Sequence, residues 1–545
     1  MPRKTPAALK RSTPQTGGGR LAVIFGDQLD LDAPLISTLG ADDTVLMMEV
    51  AGESQHVPSH VQRTTLFLSA MRHFAADLIK RKIRVRYINL EDPENTGAFE
   101  TEITRAIKAL KPTQIVCTQP GEWRVQTILE RVRDATGIPL AILPDEHFLT
   151  TVEEFAAWAK DRTALTMEFF YREQRRKTGY LMDGHGKGAQ PAGGVWNFDK
   201  ENRLPFGKQG PSPKPRKPLT FKADATTRAV ISAMKQVLPG LPGATESFGW
   251  PVTREQALAA LDDFITHRLT NFGAYEDAMW TNEPTLYHAT LSSSLNLKLL
   301  HPRECCERAI DALNAGKAPL QSVEAFVRQI IGWREFIRGV YWLEGAEYAD
   351  RNGLDQQGKL PDFYWNADTD MACMKACVGQ VIETGYGHHI QRLMVTGNFA
   401  LISGVHPRAV SDWYLGMFID GVDWVTLPNA LGMVMHADRR PKASKGVTGL
   451  VGTKPYAASG KYIERMSNYC TDCRYDPAER SGPSACPVTV FYWDFLIRTR
   501  KQLSQNQRMA MIMKNVDRLT PQIQTQITID AALLRKKLGI TGNAT

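Results

Sequence analysis

Residues 20–50 read RLAVIFGDQLDLDAPLISTLGADDTVLMMEV, and this stretch decides the architecture of the first domain. It holds two apolar runs of strand length, residues 21–25 and 44–50. Three more follow at 84–90 (RVRYINL), 113–118 (TQIVCT) and 140–143 (LAIL). Between them lie helix-length amphipathic stretches such as 65–82 and 123–136. Strands alternating with helices in this way predict a doubly wound α/β domain with a parallel sheet over residues 21–150. Ligands of such sheets sit beyond the carboxyl ends of the strands, which makes Gly26, Asp27, Gln28 and Glu49 candidate binding residues. No G-x-G-x-x-G follows the first strand, so an ordinary dinucleotide fingerprint is absent.

Working outward, residues 1–20 form a basic segment without periodicity, expected to be a flexible tail. Residues 151–225 read as a connector. They contain a proline- and lysine-rich arm, 205–222, with five positive charges (Lys208, Lys214, Arg216, Lys217, Lys222) and no acid. From 226 to about 505 strand signals nearly vanish and helical periodicity predicts a large all-α domain, with a C-terminal helical tail over 506–545. The chain has 545 residues, 43% of them hydrophobic and 23% charged, which excludes a mainly disordered or fibrous protein. It contains no apolar run of the ~18–20 residues that a membrane span needs, and its start lacks a secretory h-region, so a cytoplasmic protein is expected. The net charge is +8, but five of those charges lie in the first twenty residues, leaving the body close to neutral. Any nucleic-acid surface must therefore come from how charge is distributed.

Four groups of residues carry possible chemistry. Cys470 and Cys473 form C-x2-C, and Cys486, followed by proline, comes after twelve intervening residues. This is metal-site spacing, open between zinc and iron–sulfur, with buried or reactive cysteines as the alternative. Cys373 and Cys377, one helical turn apart, are both candidates for a fourth ligand, whereas Cys117, Cys305 and Cys306 read as core. Aromatic residues (Trp333, Phe336, Tyr341, Trp342, Trp365, Trp413, Tyr414, Trp424) interleave with Arg328, Arg334, Arg338, Asn398, Asp420, Asp423 and Asn429. Aromatics at helical spacing are usually core, but such mixed company also suits a planar anionic cofactor. His388 and His389 are adjacent, so on a helix they point about 100° apart and cannot both serve one small site. Finally, the run Ser292, Ser293, Ser294 and Asn296 clusters hydroxyls at a helix start, suited either to capping or to phosphate oxygens.

With these residues in place a resemblance emerges. RLAVIFGDQL, SAMRHFA, MEFFYREQRRKTGYLM, GGVWNFDKENR, FGAYEDAM, FVRQIIGWREFIRGVYW, HHIQRLMVTGNFALI, GTKPYAASG and NYCTDCRYDP occur in this order. The chain resembles the bacterial iron–sulfur cryptochromes and photolyases, whose best understood members are prokaryotic (6-4) photolyases, over about 21–503. The resemblance implies an N-terminal antenna domain holding 6,7-dimethyl-8-ribityllumazine and a helical domain holding FAD and a 4Fe-4S cluster. It implies light-driven electron donation from reduced flavin to a (6-4) pyrimidine–pyrimidone lesion flipped out of UV-damaged DNA. It further implies Cys373, Cys470, Cys473 and Cys486 as cluster ligands, and His388 and His389 in the lesion site with His389 as proton donor. Trp413, Trp365 and Tyr414 are implied as electron carriers. The flavin lining implied is Ser292, Ser293, Ser294, Asn296, Arg334, Asn398, Asp423 and Asn429. Gly26, Asp27, Gln28 and Glu49 fall around the antenna site.

One departure stands out: residues 434–451, VMHADRRPKASKGVTGLV, are longer and more basic than the family pattern, and Arg439, Arg440, Lys442 and Lys445 would add phosphate contacts if this loop faced DNA. The leading expectation is a monomeric (6-4) photolyase, with a blue-light photoreceptor carrying the same cofactors as the alternative. The histidine pair favours repair, because signalling needs no proton donor in a lesion pocket.

Overall fold

The computed structural model describes residues 18–162, 164–184, 186–441 and 447–541. Five parallel strands, β1 (Leu21–Val23), β2 (Thr44–Met48), β3 (Val85–Ile88), β4 (Ile115–Thr118) and β5 (Leu140–Leu143), form one sheet in the order β3-β2-β1-β4-β5. The order reverses between β1 and β4, where Leu21 and Ala22 lie opposite Ile115 and Val116. A crevice opens at such a reversal, beyond the carboxyl ends of the strands.

The alternation within the first apolar run explains the layers. Leu21, Val23 and Phe25 face one core with Leu46, Met48, Ile115 and Cys117, roofed by helices Phe99–Leu110 and Trp123–Thr136. Ala22 and Ile24 face the other way, with Val45, Met47 and Val116, against helix Val61–Lys80. That second core continues without a break into the helical domain. The sheet is thus buried on both faces, which is why its strands read as continuous apolar runs.

Past the sheet, helices Val152–Ala159 and Met167–Thr178 lead to a short hairpin and then to the proline-rich arm. Thr151 and Glu154 start the first of these helices with a reciprocal capping box. From Ala225 onward the ordered structure is almost wholly helical, and the C-terminal helix Pro521–Lys537 docks on Pro487–Arg498 through Arg535 and Asp494. The aromatics of 333–342 act as core here. Phe336 packs on Phe155, Phe170 and Trp158, and Trp342 lies 4.4 Å from Trp123 of the sheet domain.

Three π-helical turns, Arg328–Arg334, Gln391–Gly397 and Asn429–Val434, interrupt the helices of this domain. Such turns are rare and concentrate at functional sites. Two of them touch at Gly397, where an added Cβ would lie 2.6 Å from the Arg392 carbonyl oxygen and from Val434. Of the basic loop, Lys442 and Lys445 lie outside the described residues, as do residues 1–17 of the tail. Arg439 is tied down by donating to the carbonyls of Gly353 and Gln502.

Candidate active site

His388 and His389 sit where helix Ala372–Thr384 has ended and the next one begins. Their rings lie 6.3 Å apart at 63°, and, because His388 precedes the helix, both border one site, contrary to the expectation for two helical neighbours. His388 is buried, whereas the side chain of His389 is 49% exposed and its Nε2 lies 3.5 Å from Asp277. A third histidine joins them. The His288 ring stacks on His388 at 4.3 Å and 14°, and meets His389 edge-on at 5.3 Å. Burial pushes both His288 and His388 well below the usual histidine range, and neighbouring imidazoles add to the shift. Those two rings are therefore neutral at physiological pH. Nε2 of His288 and both nitrogens of His388 are buried without a hydrogen-bond partner, as are one Glu276 carboxylate oxygen and the hydroxyls of Ser293 and Ser294. A concentration of unsatisfied buried polar atoms marks a place built to receive something polar. The ligand atoms of the three histidines lie within 4.8 Å of one another. The parallel stack of His288 and His388 nevertheless keeps their lone pairs from converging on one point, so the trio fits a polar heterocycle better than a metal ion.

The serine run leads from this trio to a buried ion pair. Asn296 donates to the Asp420 carbonyl, and Asp420 holds Arg392 through two contacts of 2.9 and 3.1 Å. Although burial opposes it, the Arg392 guanidinium and Ser292 keep the Asp420 carboxyl below its ordinary range. The Arg392 guanidinium lies 4.1 Å over Phe418, which contacts Trp413 at 5.4 Å and Tyr414 at 5.2 Å. Trp413 is buried, donates to the Tyr364 carbonyl and meets the Tyr364 ring at 5.0 Å. The next residue, Trp365, is 38% exposed. The ring contacts thus run from the ion pair to Tyr364, the sequence neighbour of Trp365, with Tyr414 anchored by the Arg392 carbonyl and Thr396. Asn398 is occupied in a two-way bond with the Ala458 backbone, and Asn429 with the Val425 carbonyl.

Arg334 and Asp423 lie apart from this ion pair. Arg334 is stacked 4.0 Å over Phe148 and bonded to His147, and Asp423 accepts from Tyr341 at 2.6 Å, whose oxygen also receives the Trp123 amide. Both belong to the seam between the domains. Burial and the nearby Glu122 push the Asp423 carboxyl up to about 7.

Cys373, Cys470, Cys473 and Cys486 make a second candidate centre. Cys373 lies in the first turn of Ala372–Thr384, and Cys486 caps Pro487–Arg498. The Cys373 thiol is pushed up by burial and by Cys486, Cys377, Cys470 and Cys473 around it. Burial also raises Cys486, while the amides of Thr489 and Val488 act in the opposite sense. Two helix N-termini aimed at one cluster of thiols suit an anionic metal–thiolate group. Gly460 leaves room there, since a Cβ would stand 3.1 Å from the Cys486 sulfur. Cys377, although near Cys373, donates across 3.9 Å to the Tyr469 hydroxyl. Cys117, Cys305 and Cys306 are buried core residues.

At the sheet, Gly26, Asp27 and Glu49 line a cleft, together with Phe67 and, from the helical domain, Leu238 and Val422. Burial raises the Asp27 carboxyl to about 6. Glu49 is saturated by Arg72, Tyr87 and the Leu90 amide. Gln28 turns inward to bind the Thr118 and Gln119 carbonyls, bracing the reversal point rather than the cleft.

Sequence reasoning missed His288, Asp277 and the Arg392–Asp420 pair. His288 adjoins the serine run, but its stacking partner lies a hundred residues on, and no local pattern links Arg392 to Asp420.

Residues 22–250 match the family model described as deoxyribodipyrimidine photo-lyase-related protein. Over 523 residues the chain is 45% identical to a (6-4) photolyase of Agrobacterium fabrum, covering 95% of this chain and 99% of that one. The crystal structure of a bacterial class III photolyase from Agrobacterium tumefaciens superposes with a TM-score of 0.53 at 13% identity, covering 97% of this chain and 98% of that one. A Synechocystis cryptochrome gives 0.52, also at 13%, covering 96% of this chain and 100% of that one. These two likenesses concern the fold.

Proposed function

The chain belongs to the (6-4) photolyase family, and from that membership we propose that it repairs (6-4) pyrimidine–pyrimidone photoproducts in DNA with light, acting as a lyase. The observation that carries the proposal is the pairing of half-exposed His389 with Asp277 beside two neutral, unpartnered histidines. Repair requires a chargeable acid next to polar, uncharged contacts for a flipped base, and signalling requires neither.

Family membership implies FAD, which when bound and reduced supplies the light-excited electron. Ser292, Ser293, Ser294 and Asn296 would hold its polar groups, and Arg392 and Asp420 would flank its ring. Trp413, Tyr364 and Trp365, with Tyr414 beside them, would carry electrons inward from the surface. Cys373, Cys470, Cys473 and Cys486 would hold the 4Fe-4S cluster, and the cleft at Gly26, Asp27 and Glu49 would hold 6,7-dimethyl-8-ribityllumazine.

During repair His389, whose Nε2 lies 3.5 Å from Asp277, would give a proton to the lesion, while His288 and His388 would fix the lesion's orientation through their free nitrogens. The basic arm supports a DNA partner at this mouth. Phe206 stacks on Tyr275 at 4.7 Å, and the Tyr287 hydroxyl donates to the Pro213 carbonyl, pinning the arm next to His288. Lys208, Lys214, Arg216 and Lys217 remain exposed along it. No helix among the described residues is long and apolar enough to cross a membrane.

Dark binding to duplexes with and without one (6-4) lesion tests the reading. A preference of about a hundred-fold for the damaged duplex is expected, from the few kcal/mol that flipping an already unstacked base saves. Equal affinity for both duplexes would favour the photoreceptor.

A further inference from the structure

Between the thiol centre and the histidines runs a chain of buried and half-buried polar side chains that neither site requires for its own chemistry. It begins at Tyr469, the neighbour of Cys470. The Tyr469 hydroxyl accepts from the Cys377 thiol at 3.9 Å and from Gln391 Nε2 at 3.3 Å. Gln391 and Gln380 then face each other amide to amide, each donating to the other, at 3.0 and 3.1 Å. The far end grips both histidine-bearing segments. Gln391 Oε1 accepts from the His388 backbone amide at 3.1 Å. Gln380 Nε2 reaches the carbonyls of Tyr386 at 3.1 Å and of Pro284, four residues before His288, at 3.2 Å. Tyr469, Gln391 and Cys377 are all buried. The π-helical turn begins at Gln391 itself.

We propose that Tyr469, Gln391 and Gln380 form a strut that positions the His388–His389 turn, so that filling of the four-thiol site sets the geometry of the lesion pocket. An apolar core at these positions would permit several packings of the turn, whereas directional bonds in a low-dielectric interior specify one. The strut is rooted next to two of the thiols: Tyr469 precedes Cys470, and Cys377 follows Cys373 by one helical turn. In this proposal, movement of Cys470 or Cys373 would reach the histidines through the bonds of Tyr469 and Cys377. The inference rests on reading His388 and His389 as lesion-pocket residues, and its test is chosen to be separable from that reading.

The test compares holoprotein, Tyr469→Phe, Gln391→Met and the double variant. Iron and sulfide content are measured first, then dark hydrogen exchange of residues 384–392 without DNA, then single-turnover repair and lesion-DNA affinity. Both single variants should keep full iron content while exchange in 384–392 quickens. Repair should slow by about ten- to a hundred-fold, the cost of misplacing a reacting group by about 1 Å, with affinity little changed. The double variant should be no worse than Gln391→Met alone, as expected for two members of one chain of contacts. Unchanged exchange in both iron-replete variants would overturn the strut, as would additive effects, or iron loss in Tyr469→Phe without any change at 384–392. Quickened exchange in a protein that repairs nothing would leave the strut standing and refute the proposed function instead.

Discussion

At the scale of single residues, exposure separates the roles of like side chains. The resemblance implies His389 rather than His388 as the proton donor, and in the structure His388 is buried and held neutral while His389 faces solvent beside a carboxylate. His389→Ala should therefore retain FAD and its photoreduction but lose repair by about 10²–10⁴-fold, the usual worth of a positioned general acid. Single-turnover repair by the pre-reduced variant measures this, and a wild-type rate would remove His389 from the mechanism. The cysteines divide in the same way. Cys373 is surrounded by the other thiols, whereas Cys377 bonds to Tyr469. Cys373→Ser should lose iron and solubility, because ligand binding is coupled to folding. Cys377→Ser should keep its iron. Iron and sulfide analysis decides, and the reverse pattern would reassign the fourth ligand. Spacing alone could not choose between these two, because residues one turn apart share a helix face.

At the scale of elements, the strands were legible and the cofactor lining only partly so. Leu21–Phe25 alternates between two cores, and a sheet covered on both faces prints itself as continuous apolar runs. Helix 335–344 offers no such simplicity. It is buried nearly all round, so the sequence cannot say which neighbour Arg334 faces, and that neighbour is Phe148 of the sheet domain. The Arg392–Asp420 pair was hidden for the opposite reason, since its members belong to different elements brought together by packing. The aromatic route yields a prediction at this scale. Trp413→Phe keeps the ring contacts with Tyr364 and Phe418 but removes the oxidisable indole and its bond to the Tyr364 carbonyl. Flavin photoreduction, followed by transient absorption, should slow markedly while repair by pre-reduced enzyme stays near normal. Unchanged photoreduction would place the route elsewhere.

At the scale of the whole molecule, the body is close to neutral, and exposed basic residues lie along the arm beside the histidine site, Arg216 among them 3.8 Å from Asp263. The arm bearing Lys208, Lys214, Arg216 and Lys217 is fixed by an aromatic cluster adjoining His288. Each phosphate contact contributes about 0.9 to the slope of log affinity against log salt, so Lys214→Gln with Lys217→Gln should lower the slope by about 2. An unchanged slope in a salt titration would turn the arm away from DNA. The domain seam, the thiol centre and the histidine site all serve one reaction in this account, and one measurement bears on it most directly. The reduced, FAD-loaded protein is illuminated with an oligonucleotide carrying a single defined (6-4) lesion, alongside a dark control and a cyclobutane-dimer substrate. Light-dependent recovery of the two original pyrimidines from the (6-4) substrate, absent in the dark and absent from the dimer, is the predicted result; persistence of the lesion under light with flavin fully reduced would contradict it.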